Sequence, residues 1–262
     1  MATLVTFHAH PDDETISCGG TIAEAAANGH RVVLISATRG DHGEVPDGFL
    51  EPGEELRDRR TKELEEAARV LGIQRVEHLG YEDSGMIGAP ENDAPGSFWE
   101  ADLEEAAGIV AAILDEEAAD IFTTYDPLGT YGHPDHIQTH RVGMRAAELA
   151  GTKRVYQSAP NRDAIIRNFE RLRESGIDMP FDAPPTNLGV PEEEITTAVD
   201  VRAHLSVKRR AMAAHPSQIS ETSFFLAMPD EWFGEAFGTE WFIRIGRARG
   251  KPWETSLFEG LD

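Results

Sequence analysis

The chain has 262 residues, which is enough for one large domain or two small ones. Its hydrophobic share of 40%, together with 24 glycines, is typical of globular proteins and excludes disordered and membrane-embedded classes. The 24 Lys and Arg residues against 47 Asp and Glu residues give a net charge of −23. Because such a surface repels phosphate backbones and anionic bilayers, we expect neither a nucleic acid nor a membrane as partner.

Cysteine content and the first residues bear on the compartment. The single cysteine, Cys18, excludes an internal disulfide and a Cys-x-x-Cys redox pair, and it favours a reducing environment. The chain opens with a short apolar stretch, residues 2–7, with no basic segment before it and no long apolar run after it. We therefore expect neither a signal peptide nor a membrane span, and a cytoplasmic location.

Strand and helix patterns alternate along roughly the first 160 residues. The predicted strands are Thr3–His8, Arg31–Thr38, Arg75–Leu79, Asp120–Tyr125 and Arg154–Ser158. The predicted helices are Thr15–Asn28, Glu54–Leu71, Phe98–Ala118 and His136–Ala150. This alternation predicts an α/β fold in which helices cover a mostly parallel sheet.

The pattern becomes irregular in the C-terminal third. The predicted elements there are a helix over Ala164–Glu174, a proline-rich loop over Met179–Pro191, a helix over Val201–Ala214 and a strand over Trp241–Ile245. We expect a single domain over residues 1–262, with a core of about 1–160 and a C-terminal extension, 161–262, that shapes the pocket.

Two loops rich in His and Asp follow predicted strands. The first strand runs into HAHPDDE at 8–14, and the strand that ends at Tyr125 runs into DPLGTYGHPDH at 126–136. Ligands of parallel sheets bind at the carboxyl ends of the strands, where the loops that lead into helices gather. We therefore expect both loops at the same edge of the sheet.

The side chains of these loops are suited to a catalytic metal. A catalytic zinc commonly has two His and one carboxylate as ligands and keeps one position open for water. We predict His10, Asp13 and His136 as the ligands, in loops that prolines after His10 and His133 restrict. His140 is a competing ligand that we expect to face the sheet or solvent. A single such motif would more often be a cap or a solvated loop, but two on converging loops favour a metal site.

Asp12 is the candidate general base. A metal lowers the pKa of bound water to about 7, and a carboxylate beside it can take the proton as the water attacks a carbonyl. The alternative role of Asp12 is to cap the following helix, which Asp13 or Glu14 could also do. We expect His133, as an imidazolium, and the Tyr131 hydroxyl to stabilise the negative charge of the tetrahedral intermediate.

Together these motifs resemble those of a known family. HAHPDDE at 8–14 with TYDPLGTYGHPDH at 124–136 is similar to the LmbE-like, or PIG-L, family of zinc-dependent N-deacetylases, and within it to the bacterial enzymes of mycothiol metabolism. The likeness continues through the helix Glu54–Leu71, the turn GYEDSGM at 80–86, and Lys208 with AHPSQ at 214–218. The resemblance implies a Rossmann-like core with helices on both faces and hydrolysis of an acetamide, typically on an N-acetylglucosaminyl group.

The resemblance also implies roles for individual residues. It implies metal ligands at His10, Asp13 and His136, a general base at Asp12, and oxyanion donors at His133 and Tyr131. In the mycothiol-type enzymes an Arg three residues before a Glu and an Asp in a DSG turn hold sugar hydroxyls, and Arg60 and Asp83 occupy those positions here. For His215, a structural role and a site role stay open.

The chain departs from the mycothiol-type enzymes in the short segment between Gly43 and Glu54 and in its C-terminal third. Those regions would line the pocket, so the substrate stays open. The aromatic pairs Phe224-Phe225 and Trp232-Phe233 are expected in a core rather than as sugar-stacking platforms.

The predicted activity is removal of acetate from an N-acetylglucosaminyl conjugate with one Zn²⁺ per chain, although Fe²⁺ or Co²⁺ suits similar ligands. The expected partner is a small soluble sugar conjugate, and a homo-oligomer stays open. The alternatives are a thiol-conjugate amidase of the same family, a metal-dependent phosphoesterase and a non-catalytic sugar-binding homologue. Two-metal phosphoesterases need more ligands than these loops offer, and the intact Asp12 disfavours a pure binding role. No GxGxxG follows the first strand, which disfavours a nucleotide-dependent oxidoreductase.

Overall fold

A computed structural model describes residues 1–174, 183 and 188–261. Its strands are β1 (Thr3–His8), β2 (Arg31–Ser36), β3 (Arg75–His78), β4 (Ile121–Tyr125), β5 (Arg154–Ser158), β6 (Thr197–Asp200) and β7 (Thr239–Arg244). They form one sheet in the order β3-β2-β1-β4-β5-β7-β6. All pairings from β3 to β5 are parallel, whereas β7 runs antiparallel to both β5 and β6. The predicted α/β fold with a mostly parallel sheet is confirmed.

Helices cover both faces of this sheet. Those in the described residues are α1 (Asp13–Ala27), α2 (Leu56–Leu71), α3 (Leu103–Glu116), α4 (Gly129–Gly132), α5 (Pro134–Ala150), α6 (Arg162–Glu174), α7 (Leu205–Ala213), α8 (Phe224–Ala227) and α9 (Asp230–Phe237). Helices α1, α2 and α7 pack on one face, and α3 and α5 on the other. None of the helices within the described ranges combines the length and the apolar character that crossing a membrane requires.

The side chains of β1 alternate between two apolar cores, one on each face of the sheet. Leu4 packs with α1, α2 and α7, whereas Val5 and Phe7 pack with α3 and α5. Successive side chains of a strand point to opposite faces, so a strand between two helical layers needs apolar residues on both. The same position between two helical layers explains the nearly continuous apolar run of β2.

Several helix boundaries in the structure differ from the predicted ones. The helix predicted over Phe98–Ala118 is a 3₁₀ turn, Phe98–Glu100, followed by α3, because the Asp102 carboxylate caps a new helix by accepting from the backbone N–H of Glu105. The helix predicted over Val201–Ala214 is likewise a 3₁₀ turn followed by α7. Strand β6 and helices α8 and α9 were not predicted. The loop predicted over Met179–Pro191 lies mostly outside the described residues.

The route of the chain through the sheet places the two motif loops together. From β1 the chain forms β2 and β3 on one side of β1, and then returns to β4 on its other side. The strand order therefore reverses between the carboxyl ends of β1 and β4, which is where open α/β sheets bind their ligands. Residues 8–14 follow β1 and residues 126–136 follow β4.

A buried ion pair joins the C-terminal residues to α1. Lys208 Nζ lies 2.6 Å from Glu240 Oε1 and donates to the carbonyl oxygen of Ile16 at 2.9 Å. The Glu240 carboxylate accepts from the backbone N–H groups of Gly20 and Thr21, just after the break in helical geometry of α1. The described part of the C-terminal extension thus packs directly on the helix that follows the first motif.

Candidate active site

The two motif loops meet at the edge of β1 and β4. His10, His133 and His136 are buried and offer ring nitrogens that lie within 4.8 Å of one another. Asp13 stands between two of them, with its Oδ2 at 3.3 Å from His10 Nδ1 and 3.4 Å from His136 Nε2. The structure therefore brings together the three side chains predicted as metal ligands.

The geometry around Asp13 fits a metal ion. Ligand atoms held at about 2.0–2.1 Å from a tetrahedral zinc lie about 3.3–3.4 Å apart, and both distances at Asp13 Oδ2 have this length, 3.3 Å and 3.4 Å. Both ring nitrogens of His136 are buried and lack a hydrogen-bond partner among the described residues. A buried polar atom without a partner is costly, and a metal would supply one. His10, Asp13 and His136 could thus hold a cation that takes nitrogen and oxygen ligands.

The other nitrogen of His10 faces a second carboxylate, which the sequence analysis missed. His10 Nε2 lies 3.0 Å from Asp135 Oδ2. The Ser84 backbone N–H donates to the same oxygen at 2.9 Å, and the Ser84 hydroxyl donates to Asp135 Oδ1. A carboxylate in this position fixes the tautomer of a metal-binding His, leaving Nδ1 of His10 for the metal. The available signal was the position of Asp135 between two candidate His residues in GHPDH.

Asp83 lines the same cluster from the loop after β3. Its Oδ1 lies 3.6 Å from His10 Nε2 and accepts from the Gly85 N–H at 2.8 Å, while its Oδ2 accepts from the His42 N–H at 3.3 Å. His10, Asp83 and Asp135 form a second group whose ligand atoms lie within 4.8 Å. Backbone N–H groups and Ser84 already bind both carboxylates, which disfavours a second ion here, and Asp135 is the nearer of the two to His10 Nε2.

Burial and charge shift the pKa values of this cluster in opposite directions. Burial lowers the pKa of His10, but hydrogen bonds to carboxylates, that of Asp13 first, outweigh it and hold the pKa well above the usual range. Burial raises the pKa of Asp13, but the charges of His136 and His10 hold it well below its usual range. Burial, with the charges of His10 and His136, lowers the pKa of His133 to about 4. Asp13 is therefore ionised and His133 neutral at pH 7.

His133 and Tyr131 lie at the mouth of the cluster. His133 Nδ1 accepts from the backbone N–H of Asp135 at 3.1 Å, so the proton of the neutral ring is on Nε2. The ring is thus a neutral donor rather than the imidazolium expected from the sequence. The Tyr131 ring is 42% exposed and its centroid lies 5.0 Å from that of His136. Desolvation by the surrounding protein and the charge of Asp13 raise the pKa of Tyr131, so its hydroxyl keeps its proton.

Asp12 lies in a strained turn between β1 and α1. Its backbone has φ 100° and ψ −32°, a region that residues other than glycine rarely adopt and that is found mostly at functional sites. Its side chain does not form the alternative capping bond to α1, whose residues are all described. Burial raises the pKa of Asp12 to about 6, although the nearby Arg60 guanidinium opposes the shift.

Arg60 reaches the first motif from α2. It is only 3% exposed, and its terminal nitrogens donate to the carbonyl oxygens of Gly40 at 2.9 Å and Pro11 at 2.6 Å. Its Nη2 also lies 3.3 Å from Asp12 Oδ2. The Nε atom has no hydrogen-bond partner within the described part of the chain. Arg60 thus contacts the candidate base.

Three further residues singled out in the sequence have partners in the protein. His140 faces the sheet, with its Nδ1 at 2.9 Å from the Tyr125 carbonyl oxygen. His215 is fully buried, and its Nε2 lies 2.8 Å from Glu14 Oε1. Phe233 is buried in a small apolar cluster against which Phe225 and Trp232 pack. Phe225, Trp232 and Phe233 therefore contribute to a core, as expected, whereas Phe224 is 36% exposed.

A family model described as PIG-L, GlcNAc-PI de-N-acetylase, matches residues 5–147, more than half of the chain. The chain belongs to the PIG-L family. The resemblance inferred from the two motifs is confirmed, and it places this chain in a family of deacetylases.

Relatives within the PIG-L family match nearly the whole chain. A protein of Thermomonospora curvata, 1D-myo-inositol 2-acetamido-2-deoxy-alpha-D-glucopyranoside deacetylase, is 40% identical over 289 residues, covering 98% of this chain and 96% of the relative. A protein of the same name from Acidothermus cellulolyticus is 40% identical over 280 residues, covering 100% and 96%. Among solved structures, N,N'-diacetylchitobiose deacetylase from Pyrococcus horikoshii matches with a TM-score of 0.58 and 25% identity, covering 93% of this chain and 83% of that one.

Proposed function

We propose that this protein removes the acetyl group from an N-acetylglucosaminyl conjugate by metal-dependent hydrolysis of the amide. The observation that carries the proposal is the position of Asp13 Oδ2, at 3.3 Å from His10 Nδ1 and 3.4 Å from His136 Nε2, one residue away from the partly exposed carboxylate of Asp12. Family membership supports the reaction, and the names of the relatives support the sugar.

His10, Asp13 and His136 would hold the metal, and we propose one Zn²⁺ per chain. When bound, it supplies a Lewis acid that polarises the amide carbonyl and makes water acidic enough to deprotonate near neutral pH. Asp135 keeps the Nε2 proton of His10 in place, so that Nδ1 presents its lone pair.

Asp12 is the proposed general base. With a pKa of about 6 it is mostly ionised at pH 7, yet it is basic enough to accept a proton from the attacking water. The Arg60 guanidinium, at 3.3 Å from Asp12 Oδ2, limits the directions that the carboxylate can take. His133 is the proposed donor to the oxyanion through its Nε2–H, and the Tyr131 hydroxyl is the second donor.

Arg60 and Asp83 are the proposed contacts to sugar hydroxyls. Burial would raise the pKa of Asp83, but its contacts with His10 outweigh burial and hold the pKa well below the usual range, so the carboxylate is an acceptor at pH 7. The Nε of Arg60 is buried and lacks a hydrogen-bond partner among the described residues. We further propose that residues 1–262 act as one domain in the cytoplasm and that residues 161–262 shape the pocket; the buried free thiol of Cys18 suits a reducing compartment.

A panel of four amides tests this function. Zinc-loaded protein is incubated with free N-acetylglucosamine, N-acetylglucosaminyl-inositol, N-acetylglucosaminyl-malate and a thiol-conjugate amide, and each reaction is scored for new primary amine and for acetate. We expect release of acetate and amine from a glucosaminyl conjugate, with the inositol conjugate as the first candidate. Amine without acetate from the thiol conjugate would favour the amidase alternative. Inactivity on all four, with metal bound, would refute the substrate class.

A further inference from the structure

The segment 214–218, AHPSQ, contains two buried residues that each hold a carboxylate of another element. His215 Nε2 lies 2.8 Å from Glu14 Oε1. Ser217 donates to Glu63 from its backbone N–H at 3.1 Å and from its hydroxyl at 2.6 Å. His215 and Glu14 are 0% exposed, so neither can touch a substrate directly.

Glu14 connects His215 to the backbone of Asp12. With Oε1 held by His215, Oε2 of the same carboxylate accepts from the Asp12 N–H at 3.0 Å. His215 itself is fixed, since its carbonyl oxygen accepts from the N–H groups of Gln218 at 3.0 Å and Ile219 at 2.7 Å. The fixed imidazole therefore determines where Glu14 presents the oxygen that binds Asp12.

The conformation of Asp12 makes this bond consequential. At φ 100° its backbone would relax toward an ordinary region if its N–H had no fixed partner. Such a relaxation would swing the side chain, because the Cα–Cβ bond rotates with the backbone. The Asp12 carbonyl is held separately, by the N–H groups of Thr15 at 3.0 Å and Ile16 at 3.2 Å. The bond to Glu14 thus holds the peptide on the N-terminal side of Asp12, together with the bond that Arg60 donates to the Pro11 carbonyl oxygen at 2.6 Å.

Ser217 binds α2, the helix that carries Arg60. Glu63, which it holds, lies one turn after Arg60 on α2, and Arg60 contacts Asp12 Oδ2. The segment therefore holds Glu14, which binds the Asp12 backbone, and also α2, the helix from which Arg60 reaches the Asp12 carboxylate.

We propose that His215 is a positioning residue for the general base: through Glu14 it holds Asp12 in the backbone conformation that aims its carboxylate. The proposal rests on the proposed function, in which Asp12 takes the proton. It assigns to the C-terminal extension a part in positioning the general base besides shaping the pocket.

Two variants that differ by one methylene test this role. In His215→Gln the amide nitrogen can occupy the place of Nε2 and still donate to Glu14, whereas in His215→Asn it reaches only the place of Nδ1, which lacks a partner among the described residues. Because small misplacements of a catalytic group cost about 100-fold, we expect kcat of His215→Asn to fall on the order of 100-fold with KM within about twofold. We expect His215→Gln to keep kcat within about fivefold of wild type, and both variants to keep one metal per chain.

A matched control is Glu254→Gln, which alters another buried carboxylate that holds Arg244 and Thr197 near β6 and β7. It is expected to lower the unfolding temperature and leave kcat unchanged. Equal losses of kcat in the Gln and Asn variants, or an Asn variant as active as wild type, would overturn the proposal.

A second measurement does not depend on turnover. Hydrogen exchange of the Asp12 amide should be faster in His215→Asn than in wild type and unchanged in His215→Gln, because only the Asn variant loses the bond through Glu14. If the wild-type protein hydrolyses no amide, the proposed function fails and this exchange alone decides the positioning role. Equal exchange in all three proteins would overturn it.

Discussion

The Asp135 carboxylate lies 3.0 Å from His10 Nε2, while Nδ1 of the same ring faces Asp13 at 3.3 Å. His10 therefore connects a candidate ligand to a buried carboxylate that Ser84 holds by two hydrogen bonds. This arrangement orients the ring and makes Nδ1 a better donor to a cation.

The first prediction concerns Asp135→Asn. The substitution keeps the size of the side chain and removes the negative charge that stabilises the proton on His10 Nε2. We expect metal affinity to fall about 10- to 100-fold, as measured by competition with a chromogenic chelator. Asp102→Asn, at the cap of α3, is the control and should bind metal as wild type does. Wild-type affinity in Asp135→Asn would contradict the assignment of this carboxylate.

The second prediction concerns removal of the metal. A ligand at 100 times its Kd stabilises the folded state by about 2.7 kcal/mol, which raises Tm by on the order of 5–10 °C for a chain of this size. We therefore expect a chelator to abolish turnover and lower Tm by about that amount, and added Zn²⁺ to restore both. His10→Ala should show the lower Tm with or without Zn²⁺. An identical response of Tm to Zn²⁺ in wild type and His10→Ala would count against this site.

The third prediction concerns Gly129, which lies in the second motif and packs against the first turn of α5. Its φ is +58°, and an added Cβ would lie 2.7 Å from His136 Cβ and 2.7 Å from the Ile137 backbone nitrogen. Gly129→Ala should therefore displace His136 and weaken metal binding as well as stability. Gly151 has φ +65°, and a Cβ added there would meet no described atom within 4 Å. Gly151→Ala should therefore introduce backbone strain without a steric clash and leave metal affinity unchanged. Chelator competition on both variants separates the two effects, and equal affinities would contradict the role of Gly129.

The fourth prediction concerns Arg60, which contacts Asp12 and is a proposed sugar contact. Arg60→Lys keeps the charge but cannot reach Gly40, Pro11 and Asp12 at once, because an ammonium lacks the planar fork. We expect KM for the best conjugate to rise and kcat to fall, each by roughly tenfold. A change in kcat alone would leave Arg60 as a support of Asp12 and remove it from the sugar site. Steady-state kinetics on the same conjugate decides between them.

Much of the site could be predicted because its signals are local. His10 lies three residues before Asp13, and His133 lies three before His136, so each motif is a short sequence pattern. Because ligands bind at the carboxyl ends of parallel strands, the two loops are then expected to meet at one site. The partners of those residues were harder to predict. Asp135 lies inside the second motif, where nothing in the sequence sets it apart, and its contact with His10 depends on the packing of two loops.

Other features depend on contacts between distant residues. Glu14 and His215 are 201 positions apart, and no local pattern in one sequence indicates that they meet. Strand β6 has only four residues, too few for the alternation that makes a strand recognisable, and it pairs with β7, far along the chain. The neutral state of His133 follows from burial beside two other His rings, which only the assembled site reveals.

The central claim is that Asp12 takes a proton at a metal site built from the two motif loops. Asp12→Asn preserves the size of the side chain and leaves His10, Asp13 and His136 intact, so it separates the base from the metal. Metal content and initial rate of acetate release on the best conjugate should be measured on the same sample. We predict one metal per chain and a kcat lower by about 10²- to 10⁴-fold. Undiminished turnover in the metal-loaded variant would contradict the account.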